Sequence, residues 1–261
     1  MIDKNIFVSR KEDVYFESVK DNLFFEDEMK EYYTNFYEKK TVPDLLGKTV
    51  KVTEKQFGNV YKIIKNICTS LEMDMVDAFV YEDFYYGVES KGVDKFWIEI
   101  SAKTIADFSE GQLKFIIGRE LYNIKFKITY YTSLIKLGLQ NLSSLKIPGA
   151  GISAESIKYS VYKWSRAAGL SCDNFGYCAC GNLKESIEAV LLTILNNKVL
   201  AENINIMEYI KQADEITNLD DEVYNNTKLD EIVPYGPYRV KNLISYASSL
   251  RAKEWKMRTK V

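Results

Sequence analysis

Apolar residues recur along this chain mostly at helical spacing, and only two short apolar runs look like strands. From Asn59 to Met73, Val60, Ile63, Ile64, Ile67 and Leu71 fall on one helix face. Ser109-Glu110-Gly111-Gln112 has the form of a capping box, with a hydroxyl at the N-cap and an amide three residues on. It opens a helix through Leu113, Ile116, Ile117, Leu121 and Ile124. A stripe from Phe24 and Phe25 through Met29, Tyr32, Tyr33, Phe36 and Tyr37 predicts a helix over 26–40, closed by Pro43. Tyr130 to Leu145 is apolar but carries Lys136, and fits a helical hairpin packed on the core rather than a membrane contact. After a break at Lys146–Gly151, a helix runs from Ala154 through Trp164 towards Cys180. Further helices are expected at 183–196 and 206–216. The acidic, Asn-rich stretch 218–231 reads as an exposed loop. The turn Pro234-Tyr235-Gly236-Pro237 precedes a last helix over 238–255.

Ala78–Tyr81 and Phe96–Ile100 read as strands, and with the segment between them they suggest a small antiparallel sheet. The fold expected is therefore α+β and mainly helical. Residues 1–46 are read as an N-terminal helical extension and 47–261 as the main domain.

Composition then removes whole classes of function. The chain has 261 residues, 46% of them hydrophobic, enough for one large domain. A net charge of −2 lacks the basic excess of a nucleic-acid binder. No apolar run reaches the 18 or so residues of a membrane span. The start, Met1 to Asn5, lacks the basic and apolar regions of a signal peptide, so a cytoplasmic protein with reduced thiols is expected. There is no histidine at all, which excludes Ser-His-Asp and Cys-His triads and every zinc site that needs an imidazole. Cys68 stands alone, and the spacing of Cys172, Cys178 and Cys180 does not suit a metal site; buried, hydrophobic thiols are expected.

Leu113 to Lys125 contains Gly118-Arg119-Glu120-Leu121-Tyr122-Asn123-Ile124-Lys125. This frame resembles the active-site helix of the HtpX-like and CAAX-prenyl-protease-like zinc metallopeptidases, an apolar helix ending in G-H-E-L-G-H-I-K. Trp164 to Cys178 resembles that family's second zinc helix, with Trp164, Arg166, Asp173 and Gly176 kept. Pro237 and Arg239 match a C-terminal H-P segment followed by an arginine, with Gly236 at the histidine. The resemblance covers about residues 50–250.

The resemblance implies a zincin-like fold whose small sheet, Phe79 to Ile100, offers a substrate-binding edge beside a helix pair. It implies zinc as the family's cofactor, and it implies that zinc is absent from this member. Arg119 and Asn123 stand at the two histidine positions and Gly169 at the glutamate ligand. Arginine has no lone pair to give a metal and asparagine is a poor zinc ligand. Glu120 keeps the general-base position. Tyr122, Arg166, Asp173 and Arg239 are placed around the cleft, with the Tyr122 ring near the former metal position. Two readings of Arg119 stay open: a guanidinium in place of the zinc, paired with Glu120 or Asp173, or a side chain reaching out to the surface. The function expected is that of a catalytically inactive pseudopeptidase that binds a peptide or protein. The alternative is altered or residual hydrolysis in the same cleft.

Overall fold

The computed structural model describes residues 3–9, 11–20, 26–141 and 150–258. Phe24, Phe25 and the break at 146–149 lie outside the described residues; Ala150 and Gly151 are helical. In chain order the first helices are α1 (Glu12–Lys20), α2 (Glu26–Tyr32), α3 (Glu38–Lys48), α4 (Gly58–Ser70) and α5 (Ala102–Asp107). The central three are α6 (Glu110–Lys125), α7 (Ile128–Asn141) and α8 (Ala150–Cys180). The last are α9 (Leu183–Leu195), α10 (Lys198–Glu202), α11 (Ile206–Asn218), α12 (Glu222–Leu229), α13 (Gly236–Ala247) and α14 (Leu250–Arg258). With one small sheet, the protein is α+β and mainly helical, and no helix among the described residues is long and apolar enough to cross a membrane.

Local signals are met where they were strongest. The whole predicted face of α4, Val60 to Leu71, is buried. Ser109 and Gln112 close both halves of the capping box that starts α6. Three boundaries differ from expectation. Pro43 lies inside α3, which continues α2 through a π-turn at Tyr33–Tyr37. The carbonyl that Pro43 leaves unpaired belongs to Lys39; both residues are exposed, so water can satisfy it. The stretch 218–231 is not a plain loop. Asp221 caps α12, its side chain accepting from Val223 N at 2.8 Å, so the polar composition marks an exposed helix. The last helix is two, α13 and α14, split where Ser249 Oγ accepts from Ala252 N at 3.2 Å and restarts the helix.

The sheet comprises β1 (Val50–Lys51), β2 (Asp77–Tyr81), β3 (Val88–Gly92) and β4 (Phe96–Ser101) in the order β1-β2-β4-β3. It is mixed, not antiparallel as expected: β2 and β4 run parallel, with Ala78 opposite Ile98 and Val80 opposite Ile100. Residues 82–87 carry the chain past the end of β2, β3 returns antiparallel, and a tight turn slots β4 between them. Gly92 makes that turn at φ +117°, where an added Cβ would lie 1.9 Å from the Lys95 carbonyl oxygen. β3 is left as the edge strand.

The N-terminal residues are part of the core rather than an appendage. Phe7 is fully buried, its ring edge-on to those of Tyr122, Phe175 and Trp255, with centroids 5.9, 5.1 and 5.1 Å away. Asn174 Nδ2 donates to the Phe7 carbonyl at 2.8 Å. Buried Glu12 takes a hydrogen bond from Ser171 Oγ and pairs with Lys4 at 2.7 Å. From the other end of the chain, Tyr246 Oη donates to the Ile6 carbonyl at 3.2 Å and Arg251 Nη1 to that of Val8 at 2.6 Å.

The most extensive pairing of elements is that of α6 with α8. The two backbones approach closely at Gly176, where a Cβ would sit 2.7 Å from the Phe115 carbonyl oxygen and 2.8 Å from Arg119 Cγ. This crossing sets the position of Arg119 on α6 relative to Asp173 on α8.

Candidate functional site

Asn123 lies four residues after Arg119 and three after Glu120, so it neighbours both on the surface of α6. All three line a cleft of about 690 Å³. Its walls are α3 with the π-turn before it, the edge strand β3, α7, α8 and the segment Ile232–Pro234.

Glu120 is held in place from both sides. Its Oε2 accepts from Ser90 N at 3.0 Å, from Ser90 Oγ at 2.7 Å and from Asn123 Nδ2 at 3.1 Å. Ser90 Oγ also shares a 2.7 Å hydrogen bond with Thr129 Oγ1. Asn123 turns its other end to α8, where its Oδ1 accepts from Cys172 Sγ at 2.8 Å. Burial pushes the Cys172 thiol well up, against the pull of Arg119.

Arg119 lies over Asp173. Nε packs on Asp173 Oδ1 at 2.5 Å. Nη1 is 3.8 Å from Glu120 Oε1. The side chain is 13% exposed, so of the two readings of Arg119 the paired, inward one describes it. Asp173 is fully buried and is gripped from its far side by Arg239, whose Nε and Nη2 donate to Oδ2 and Oδ1 at 2.9 Å each. Burial alone would raise the Asp173 carboxyl, but Arg239 and then Arg119 outweigh it and hold the group below the usual carboxylate range. Burial also works against the charge on Arg119, and Asp173 and Glu120 outweigh it.

The residues expected around the cleft divide. Arg119, Glu120, Asn123 and Gly169 line it. Asp173 lies behind Arg119 as its counter-charge, with Arg239 on the far side of that carboxylate. Arg166 turns elsewhere, its Nη1 donating to the Glu231 carbonyl. Tyr122 does not fill the cleft: it is wholly buried among Phe7, Phe126 and Phe175, with its hydroxyl unpartnered. Ser90 and Thr129, which fix Glu120, were not singled out from the sequence. Their role depends on β3 and α7 packing against α6, and no local pattern announces it.

Zinc does not fit these residues. Arg119, at a position where the resemblance expects a ligand, is a cation, and Asn123 spends both ends of its amide on Glu120 and Cys172. A Cβ on Gly169 would stand 2.8 Å from Pro234 Cδ, so the third position has neither a donor nor room for one without a shift. Among the described residues no group of three or more Cys, Asp or Glu side chains is arranged to hold a metal.

No family model, curated protein or solved structure matches the chain.

Proposed function

We propose that the protein is a zincin-like metallopeptidase relative that no longer cleaves, and that its cleft takes a peptide or a segment of a partner protein. The observation that carries this reading is the fate of the three ligand positions: Arg119 is ion-paired, Asn123 bridges Glu120 to Cys172, and Gly169 abuts Pro234. The retained Glu120 lacks a metal-bound water to activate. The cleft itself is kept, with the edge strand β3 along it, and an edge strand can receive an extended chain. Four free thiols suit the cytoplasm, which we propose as its compartment.

Selection from a random peptide display library tests the reading. Selected peptides are expected to shift the backbone amide resonances of β3 and of Thr129–Ser133, and to be released uncut. Stoichiometric, chelatable zinc in the purified protein together with cleavage of those peptides would overturn it.

A second reading, metal-free hydrolysis in the same cleft, rests on one contact. Ser90 Oγ donates to Glu120 Oε2 at 2.7 Å, within the reach of a nucleophile–base pair. It ranks second because that oxygen already accepts two further hydrogen bonds, from Ser90 N and Asn123. Covalent labelling of Ser90 by a fluorophosphonate, lost in Ser90→Ala, would put it first.

A further inference from the structure

Arg119 is a largely buried guanidinium of which the protein uses only one side. Its Nε packs on Asp173 Oδ1 at 2.5 Å and is sealed from the cleft. Of its outer nitrogens, Nη1 makes a long charge contact with Glu120 Oε1 at 3.8 Å, and neither Nη1 nor Nη2 donates a hydrogen bond to a described residue. Those two nitrogens form a planar fork of N–H donors suited to a second carboxylate. Arg239 holds both oxygens of Asp173 and Glu120 Oε2 takes three donors, while Glu120 Oε1 stands 3.8 Å from Nη1, beyond hydrogen-bond reach. What exposure Arg119 retains is into the cleft it lines.

The charge of the cleft says what would complete it. Five cationic side chains and four carboxylates line it. Three of the lysines are paired, Lys48 with Asp44 at 2.8 Å, Lys91 with Glu99 at 2.8 Å and Lys136 with Glu89 at 3.6 Å. That leaves Arg119 and Lys40 against Glu120, one positive charge in excess. A planar monoanion with two acceptor oxygens matches both the forked donors and the single excess charge. A phosphate dianion would overshoot the charge beside Glu120.

We propose that Arg119 is a carboxylate-binding residue, and that the ligand of this cleft presents a carboxylate, from a peptide C-terminus or an acidic side chain, to the Arg119 guanidinium. This rests on the peptide-binding reading for the source of the carboxylate, but not for the anion site itself.

The ¹⁵N resonance of Arg119 Nε–H in the full chain tests it, with four probes: propionate, propionamide, inorganic phosphate, and the tripeptide Gly-Gly-Leu with its C-terminus free or amidated. Propionate and the free tripeptide are expected to shift this resonance saturably, and the two amides are not. Arg119→Met should weaken propionate binding by about tenfold or more, since a charge-assisted hydrogen bond contributes on the order of that factor. Arg119→Lys, which keeps the charge and loses the fork, should recover only part of it. Thermal unfolding of each variant establishes that the fold persists. An Arg119 resonance unmoved by propionate, or moved equally by propionamide, overturns the proposal, as does tighter binding of phosphate than of propionate. A response to propionate with no response to peptides of either form keeps the anion site and rejects the peptide reading. Peptide binding that leaves Arg119 unmoved does the reverse.

Discussion

Arg239 and Asp173, 66 residues apart in sequence, meet in a two-pronged ion pair of 2.9 Å per prong at a fully buried carboxylate. Arg119 reaches the same carboxylate from the cleft side. Asp173 is thus the hinge pin between a structural arginine and a cleft arginine.

Removing the shared partner should cost more than removing either arginine. Asp173→Asn leaves two buried guanidinium groups facing each other and is expected to destabilise by about 3–5 kcal/mol, the range for breaking a buried pair from one side. Arg239→Met leaves Asp173 one partner and should cost less. Urea unfolding of the two variants side by side gives the order; a milder effect for Asp173→Asn would contradict this account of the cluster.

Acid should act through the same carboxylate. The folded state holds the Asp173 carboxyl below its ordinary value of about 3.9, so its stabilisation is present above that pH. It is lost as the pH falls from there through the lower folded value. Between pH 6 and 3 the wild type should therefore lose more stability than Asp173→Asn does. Parallel curves of urea midpoint against pH would show that Asp173 is not a source of acid sensitivity.

Tyr122→Phe should be neutral or stabilising, by up to about 1 kcal/mol, because it deletes a buried hydroxyl that has no partner. Burial pushes the phenol well above its ordinary value of about 10, so Tyr122 supports folding fully below that pH and progressively less above it. The variant should lose less stability than wild type between pH 10 and 11. Thermal melts at pH 7 and across that window measure both effects.

Gly176→Ala should destabilise by about 1–3 kcal/mol, the usual cost of forcing atoms into a filled space. The new methyl meets a backbone carbonyl, which cannot swing aside, and the stem of Arg119. The variant should also broaden or shift the Arg119 Nε–H resonance in NMR spectra. A stable variant with that resonance unchanged would mean that α6 and α8 can part without cost.

On the metallopeptidase reading, zinc binding should be recoverable, but not by ligands alone. Arg119→His, Asn123→His and Gly169→Glu together supply three donors, and the side chain introduced by Gly169→Glu must first displace Pro234. Adding Pro234→Ala should tighten zinc binding severalfold over the triple variant. Isothermal titration with zinc makes the comparison, and no uptake by either variant would count against the family frame.

The sequence carried the local features faithfully. The face of α4 and the capping box of α6 depend only on neighbours three and four residues away, and both are read directly. Strand partners are not encoded that way: the short apolar runs 78–81 and 96–100 mark buried strands, not that β3 would leave and return to put them parallel. Tyr122 was assigned to the cleft by analogy, although it lies about 200° round the helix from Glu120 and so belongs to the opposite face. Helix geometry alone would have corrected that. Asp173 and Arg239 were placed near the cleft only through the family resemblance, and their pairing needed α13 to be docked on α8. Ser90 and Thr129 had no signal, since each matters only through the distance at which packing leaves it from Glu120.

The edge-on contact of Phe7 with Trp255 has a consequence for how the chain is made. A ribosome makes Phe7 long before Trp255, and the α6–α8 interior that both seal is translated in between. Until residue 255 emerges, Phe7, Tyr122 and Phe175 share a pocket with one wall missing. Over that interval of synthesis the nascent chain exposes an aromatic surface that the finished core buries, and such transiently exposed apolar surface is prone to aggregate.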